Sequence, residues 1–497
     1  METKLAIADD PDRRTCYLNG LLRLRAGQPE EASGLLLRAL RDRPEDPDIR
    51  RNLIRALLAS EQYGDVLDQA AIALATMPDD AEMYFAQGTA LSALHRPLAA
   101  RAALTRAVVL RPSLAAAWLN LGNVCIELED PHEAERHYRT AIRLNPALAQ
   151  AFASLGHLLL SQGRLLEATT ACEMAVHLAP GMAEAHWNLA ATLLLAGDRP
   201  RGMLEYEWRK RHPAYRSDFP PLPGPYWSGG DPVGQVILVR ADQDFGHTIQ
   251  FARYVLTLAE RGATPVLLCD PVLVTLLSAM PGVVVLPRTA RVEGYDAWID
   301  LMSLPLALGG MPFAEGYLRA DAGRVGVWRG VVQKRALLLP QGEGEDFRVS
   351  SLRVGIAWAG NRAQANDRRP SLPAAALAPL LAVPGVEFVN LQVGARAREA
   401  GLPDLSARLP DFAETAALIA TLDLVIGVDS AVAHLAGALG APVWVLLAHV
   451  PDWHWLMGRD DSPWYSSARL FRQDTQGDWD GAIRRVAEAL GQKRSSP

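Results

Sequence analysis

Hydrophobic and polar positions follow two rhythms along the 497 residues, and the change between them falls at residues 217–234. In the first two-fifths, small and apolar residues recur with a period of 34. Prolines stand at Pro44, Pro78, Pro112, Pro146 and Pro180, with alanine five residues before each: Ala39, Ala73, Ala107, Ala141 and Ala175. Gly20, Gly88, Gly122 and Gly156 keep the same register 24 residues before their prolines, and Ile54 takes that place in the second repeat. Self-similarity at this period marks stacked supersecondary units. Each unit reads as two antiparallel helices. Gly122, Ala134 and Ala141 are small where the axes approach, and Trp118, Leu121 and Tyr138 fill the space between. Proline stops the second helix because it lacks an amide donor and turns its predecessor away from helical backbone.

These positions resemble the tetratricopeptide repeat, and AWLNLGNVCIELEDPHEAERHYRTAIRLNP (117–146) is the best copy. The resemblance runs from residue 13 to about 210, as five repeats and a sixth that drifts after Asn188-Leu189-Ala190. An all-α solenoid over 13–216 is expected. One repeat cannot bury its own apolar face, whereas a stack can, and stacking makes a concave groove. The resemblance implies that the groove holds a peptide or partner protein; a stacking spacer without a ligand is the alternative. No Lys and Arg pattern of a carboxylate clamp runs along one face, so the ligand class stays open.

Residues 217–234 are crowded with Pro and Gly and carry neither helical nor strand periodicity, which predicts a linker. Tyr226 and Trp227 are placed to pin it to a neighbour. From Gln235 short apolar runs alternate with amphipathic stretches. VILVR (236–240) predicts a buried strand, 247–262 a helix and TPVLLC (264–269) a second strand; VLVTLLSAM, GVVVLP and AWIDLM continue the alternation. The polar stretch 340–351 precedes a second series that starts at LRVGIAWAG and runs through PAAALAPLLA, GVEFVNLQ, TAALIATLD, LVIGV, SAVAHLAGALG and PVWVLLA. Alternation of this kind predicts parallel sheets with covering helices. Two α/β lobes are expected, 235–340 and 352–491, with a cleft between them and a tail at 492–497.

Composition narrows the function. At 49% hydrophobic residues the chain is globular, and a formal net charge of −6 argues against a broad basic surface for nucleic acid. The N-terminal stretch turns charged too soon for a signal peptide, and apolar runs such as Val443 to Leu447 are broken well before about 18 residues. A soluble, cytoplasmic protein without a transmembrane segment is expected. Cys16, Cys125, Cys172 and Cys269 lie far apart with no CxxC pair, so neither a disulfide framework nor a zinc site is expected.

In open α/β sheets, ligands bind beyond the carboxyl ends of the strands. Three strand exits here are rich in polar residues. The first runs Arg240-Ala-Asp-Gln-Asp-Phe-Gly-His247, where Gly246 permits a tight turn and Asp244 is a possible support. His247 sits at the start of the next helix, whose positive end is expected to lower its pKa and favour a proton-accepting neutral ring. A histidine that only caps the helix is the other reading. The second exit, Trp358 to Ser371, carries Asn361, Arg362, Asn366, Arg368 and Arg369. Guanidinium forks match phosphate oxygens, so this loop is suited to a diphosphate, unless it is merely a solvated basic loop. The third is LVIGVDSAVAHLAGALGAPVW. Asp429-Ser430 can cap the helix that follows, leaving the amides of Ala431 and Val432 as an anion site. His434 lies one turn in, and Gly440 and Pro442 close the helix; an ordinary capped helix with a buried histidine is the other reading.

Together these segments resemble GT-B glycosyltransferases related to the bacterial heptosyltransferases, which often stand behind tetratricopeptide repeats. The matching stretches are DFGHTIQFARY, DLMSLPLALG, GIAWAGN, NDRRPSL, VIGVDSAVAHLAGALG, PDWHWL and DSPWYSSARLFRQ, spread over about 205–490. The resemblance implies two Rossmann-like lobes, a nucleotide-sugar donor as substrate, and no cofactor or metal. Some members with this layout glycosylate proteins, flagellins among them, and the layout is similar to that of the O-linked N-acetylglucosamine transferases. Asn361, Arg368, Asp429, Ser430, Ala431, Val432 and His434 would then hold the donor diphosphate, and His247 would deprotonate the acceptor. Gly246, Arg362, Arg369 and Gln392 would support them. Four positions depart from the family pattern. His247 replaces the usual Asp, Ala365 another base, Pro370 an Arg, and Val393 the Lys that usually follows Gln392. Losing cations weakens leaving-group stabilisation, and Arg362 and Arg369 are placed to compensate. The expected activity is inverting transfer of a sugar from a nucleotide diphosphate to a hydroxyl on a protein in the repeat groove. Two rivals remain: an adaptor with a degenerate transferase domain, and a heptosyltransferase-like enzyme acting on a glycolipid or polysaccharide. The aromatic set Trp453, Trp455, Trp464 and Tyr465 reads as packing more than as sugar stacking, and His449 and His454 have no metal-ligand spacing.

Overall fold

The computed structural model describes residues 11–310, 316–336, 352–360 and 372–495. The chain divides into two compact units, Met1–Asn188 and Leu189–Pro497. The first unit is a series of antiparallel helix pairs: Pro11–Arg25 with Pro29–Asp42, Pro47–Ala59 with Tyr63–Thr76, Ala81–Ala93 with Pro97–Leu110, Ala115–Glu127 with Pro131–Leu144, and Ala149–Ser161 with Leu165–Leu178. Every second helix stops two residues before its periodic proline, as the sequence predicts. Two of the first helices open on an aspartate cap: Asp46 Oδ1 accepts from the amides of Asp48 and Ile49, and Asp80 Oδ1 from those of Glu82 and Met83.

The periodic glycines explain the pairing. A Cβ on Gly20, Gly88, Gly122 or Gly156 would lie 2.8, 2.5, 2.5 and 2.4 Å from Leu36, Leu104, Tyr138 and Cys172 respectively. In each case the partner is sixteen residues on, in the second helix of the same pair. Where Ile54 replaces the glycine, the residue sixteen positions later is the small Ala70, and both are buried in one cluster. Bulk has moved across the contact and total volume is kept. Gly122→Val is therefore expected to cost about 1–3 kcal/mol through overpacking against the Tyr138 ring, read as a lower denaturation midpoint; an unchanged midpoint would contradict the close approach.

The second unit holds two parallel sheets. The first contains β1 (Val236–Arg240), β2 (Thr264–Cys269), β3 (Val284–Pro287) and β4 (Ala297–Asp300) in the order β3-β2-β1-β4. The second contains β5 (Leu352–Ala357), β6 (Val386–Asn390), β7 (Leu424–Val428), β8 (Val443–Leu447) and β9 (Ala468–Arg472) in the order β6-β5-β7-β8-β9. All the ladders are parallel. The direction in which strands are added reverses at β1, between β2 and β4, and at β5, between β6 and β7. Ligands bind at such switch points, outside the carboxyl ends.

The division at Asn188 falls earlier than the Pro/Gly-rich 217–234 segment. Residues 199–218 pack on the first sheet through a buried network. Arg209 donates to Asp242 Oδ2 from Nε (3.1 Å) and Nη2 (2.8 Å), and Nη2 also reaches Ser303 Oγ at 2.9 Å. Tyr215 donates to the same Asp242 oxygen at 2.7 Å, and the amide of Met302 reaches the other at 3.1 Å. Arg240 is paired with Asp300 (2.7 Å) at the ends of β1 and β4. Further along, the Trp227 amide donates to the Trp298 carbonyl and the Trp298 amide to the Pro225 carbonyl, which fixes the linker along β4. No helix among the described residues is long and apolar enough to cross a membrane.

Candidate active site

The exits of β1 and β7 meet. After β1, Asp244 caps the Phe245–Glu260 helix, which begins two residues before the predicted start because that carboxylate takes the His247 amide at 2.9 Å. The same oxygen lies 3.0 Å from His247 Nδ1. An imidazole whose Nδ1 faces a carboxylate keeps Nε2 for its own chemistry. The sequence expectation of a lowered His247 pKa is corrected here. Burial does oppose its charging, but the Asp244 charge and hydrogen bond outweigh burial and hold the pKa above the ordinary histidine value. Asp244 itself is held well below the usual carboxylate range: burial raises it, and the His247 contacts more than reverse that.

After β7, the chain turns at Asp429-Ser430 into the Ala431–Ala438 helix. Ser430 stands at the cap position in extended backbone, yet its side chain makes no cap bond. Its buried Oγ has no hydrogen-bond partner among the described residues. Of the Asp429-Ser430 pair expected to cap this helix, the serine thus takes up no first-turn amide; amides not used by a cap are what holds an anion at a helix start. His434 is 2% exposed, with Nδ1 3.0 Å from Tyr465 Oη and Nε2 3.6 Å from Asp429 Oδ1. Burial, helped by the neighbouring His454 charge and opposed by Asp429, pushes its pKa down to about 4. The ring stays neutral at pH 7.

Gly246 brings the two exits together. A Cβ there would sit 2.9 Å from His434 Cδ2 and 3.6 Å from Ala431 Cα, so the β1 turn covers the start of the Ala431–Ala438 helix. Glycine is required at this approach. Arg253, on the helix that His247 begins, donates to the Trp464 carbonyl at 3.0 Å and lies over the Tyr317, Trp464 and Tyr465 rings. Trp453, Trp455, Trp464 and Tyr465 are all buried; Trp453 and Trp464 lie against Phe251 of the helix that His247 begins, and Trp455 and Tyr465 against His434.

Gln392 turns out to brace the β5 exit: its Oε1 accepts from the amides of Trp358 (3.2 Å) and Ala359 (2.9 Å). Asn361, Arg362, Ala365, Arg368, Arg369 and Pro370 lie outside the described residues. Sequence reasoning set His454 aside for want of a ligand spacing and gave it no place in the site, yet its ring stands between His247 (centroids 5.5 Å) and His434 (4.9 Å). It lies 3.5 Å from Asp429 and 3.2 Å from Asp452; burial opposes its charging, and the two carboxylates push its pKa up to about 9. Asp452 and His454 sit on the loop after β8, and no spacing to the other histidines announces them.

A helix start whose serine makes no cap bond thus lies beside a carboxylate-held imidazole, where the exits of β1 and β7 meet. Residues 399–475, which carry Asp429, His434 and His454, match the model of glycosyltransferase family 9 (heptosyltransferase). Tetratricopeptide-repeat models match 17–81, 85–130 and 115–148. One chain thus carries matches to tetratricopeptide-repeat models in its N-terminal part and to the glycosyltransferase family 9 model in its C-terminal part.

Among particular relatives, protein FlbA of Caulobacter vibrioides is 31% identical over 340 residues, covering 60% of this chain and 54% of FlbA. The chain thus spans about half the length of that relative. Solved structures similar to the repeats include a tetratricopeptide protein of Thermus thermophilus, 25% identical over 37% of this chain and 99% of its own, with a TM-score of 0.33. PilF of Pseudomonas aeruginosa is 21% identical over 40% of this chain and 90% of its own, TM-score 0.36. YrrB, described as a tetratricopeptide protein with an unusual peptide-binding site, is 21% identical over 35% and 91%, TM-score 0.29.

Proposed function

We propose that the second unit is a GT-B glycosyltransferase that moves a sugar, with inversion and without a metal, from a nucleotide diphosphate to a hydroxyl on a protein presented by the repeats. The observation that carries this reading is the facing pair of strand exits: the uncapped helix start at Ala431 and the Asp244–His247 dyad. The amides of Ala431 and Val432 take the donor diphosphate, with Asp429 and Ser430 shaping the turn. Neutral His434 adds a hydrogen-bond donor. The acceptor hydroxyl attacks the anomeric carbon from the face opposite the leaving diphosphate, and His247 Nε2 receives its proton while Asp244 steadies the resulting imidazolium. Charge moves onto the diphosphate as the glycosidic bond breaks, and fixed dipoles at the helix start stabilise it there. Asn361, Arg368, Arg362 and Arg369 supply further donors by the resemblance, offsetting the groups missing at Ala365, Pro370 and Val393.

Donor entry requires the β1 turn to separate from the Ala431–Ala438 helix, because Gly246 now covers it. Unbridged cysteines fit a cytoplasmic setting. The test of the acceptor class is mass spectrometry of cellular proteins with and without this chain. Glycopeptides that disappear with the chain support a protein acceptor; an unchanged set of glycopeptides contradicts it.

A further inference from the structure

His454 has no part in the transfer chemistry described above, yet it is buried between His247 and His434 with a side chain 1% exposed. Its Nε2 is 3.5 Å from Asp429 Oδ1, and His434 Nε2 is 3.6 Å from the same oxygen. Ligand atoms of Asp429, His434 and His454 all fall within 4.8 Å of one another. Neither ring nitrogen of His454 makes a hydrogen bond with a described residue. In a tetrahedral zinc site with bonds of about 2.0–2.2 Å, neighbouring ligand atoms stand roughly 3.3–3.6 Å apart, and both edges that share Asp429 have this length. The outer nitrogens are arranged as metal-bound imidazoles require: His434 Nδ1 lies 3.0 Å from Tyr465 Oη, and His454 Nδ1 lies 3.2 Å from Asp452 Oδ1. With the ring proton on Nδ1, the tautomer that such neighbours favour at metal sites, each Nε2 presents its lone pair to an ion. Two imidazoles with one carboxylate select a zinc-class ion over magnesium or calcium, which take oxygen ligands. The Asp429 side chain, 13% exposed, leaves the group an edge for entry.

We propose that Asp429, His434 and His454 form a binding site for a zinc-class dication, with a fourth coordination position open. The ion takes no part in the transfer. It occupies Asp429 and His434, the groups assigned to the donor, and so keeps the donor out. This exclusion rests on the transfer reading, whereas binding of the ion does not. The test is titration of the untagged, chelator-treated full chain with Co²⁺ alone, followed by visible absorption. One equivalent is expected to give the intense band of a four-coordinate ion, bleached by Zn²⁺. His454→Ala is expected to weaken binding by at least about 100-fold, and Tyr465→Phe, which keeps the ring packed, by about 10-fold. No saturable binding, or affinity unchanged in both variants, overturns the site. Because donor is absent throughout, failure here is distinguishable from failure of the transfer reading.

Discussion

Replacing His247 with alanine is expected to lower turnover by about 10²–10⁴-fold, the range over which a positioned base accelerates proton transfer. The donor contacts assigned to the Ala431–Ala438 helix are untouched, so donor affinity is expected to hold while kcat falls. That split is what removal of an interaction made only in the transition state produces. The Asp244 carboxylate accepts the His247 amide and faces its Nδ1, both through Oδ1. Asp244→Asn keeps a cap but loses the charge that stabilises the imidazolium, and is expected to lower kcat less than His247→Ala does. Steady-state kinetics on the two variants check this. Unaltered kcat in His247→Ala removes His247 from the mechanism and leaves it as a helix-start histidine.

The largest expected effect on stability is at Asp242. Its side chain is fully buried and that of Arg209 is 1% exposed, and the pair is 2.8 Å apart. Asp242 also accepts from the Tyr215 hydroxyl and the Met302 amide. Asp242→Ala would leave a buried guanidinium, a phenol and an amide without their shared acceptor. Breaking a buried ion pair from one side costs about 3–5 kcal/mol, more than most single substitutions. A lowered denaturant midpoint of the second unit is expected, with fraying of residues 199–218 by hydrogen exchange. A loss below about 1 kcal/mol would mean that the network behaves as a surface pair does and does not anchor this segment.

The repeats were legible in the sequence because their signal is periodic and steric. Proline spacing fixes where each second helix stops, and glycine spacing fixes where two axes touch. The strands were legible too: VILVR, TPVLLC and LVIGV became β1, β2 and β7 with the expected limits. The site was only partly legible. Asp429, His434, Asp244 and His247 sit at strand exits, where pattern and physics agree. His454 and Asp452 come from a loop after β8, and only folding brings them beside the other two histidines. The pKa of His247 was misjudged because the helix dipole is visible in sequence, while the distance from Asp244 Oδ1 to Nδ1 is not. The Ser430 cap failed for a similar reason. Cap propensity is local, and it does not fix which way the hydroxyl turns.

The proposed transfer depends on binding of a nucleotide diphosphate at the Ala431 helix start, the donor end of the second unit. Calorimetric titration of the full chain with a panel of nucleoside diphosphates tests it most directly. Saturable 1:1 binding of at least one of them is expected, weakened by Asp429→Asn and His434→Ala and unaffected by His247→Ala. Absence of binding across the whole panel would contradict it, and would leave the repeat array as the working part of the molecule.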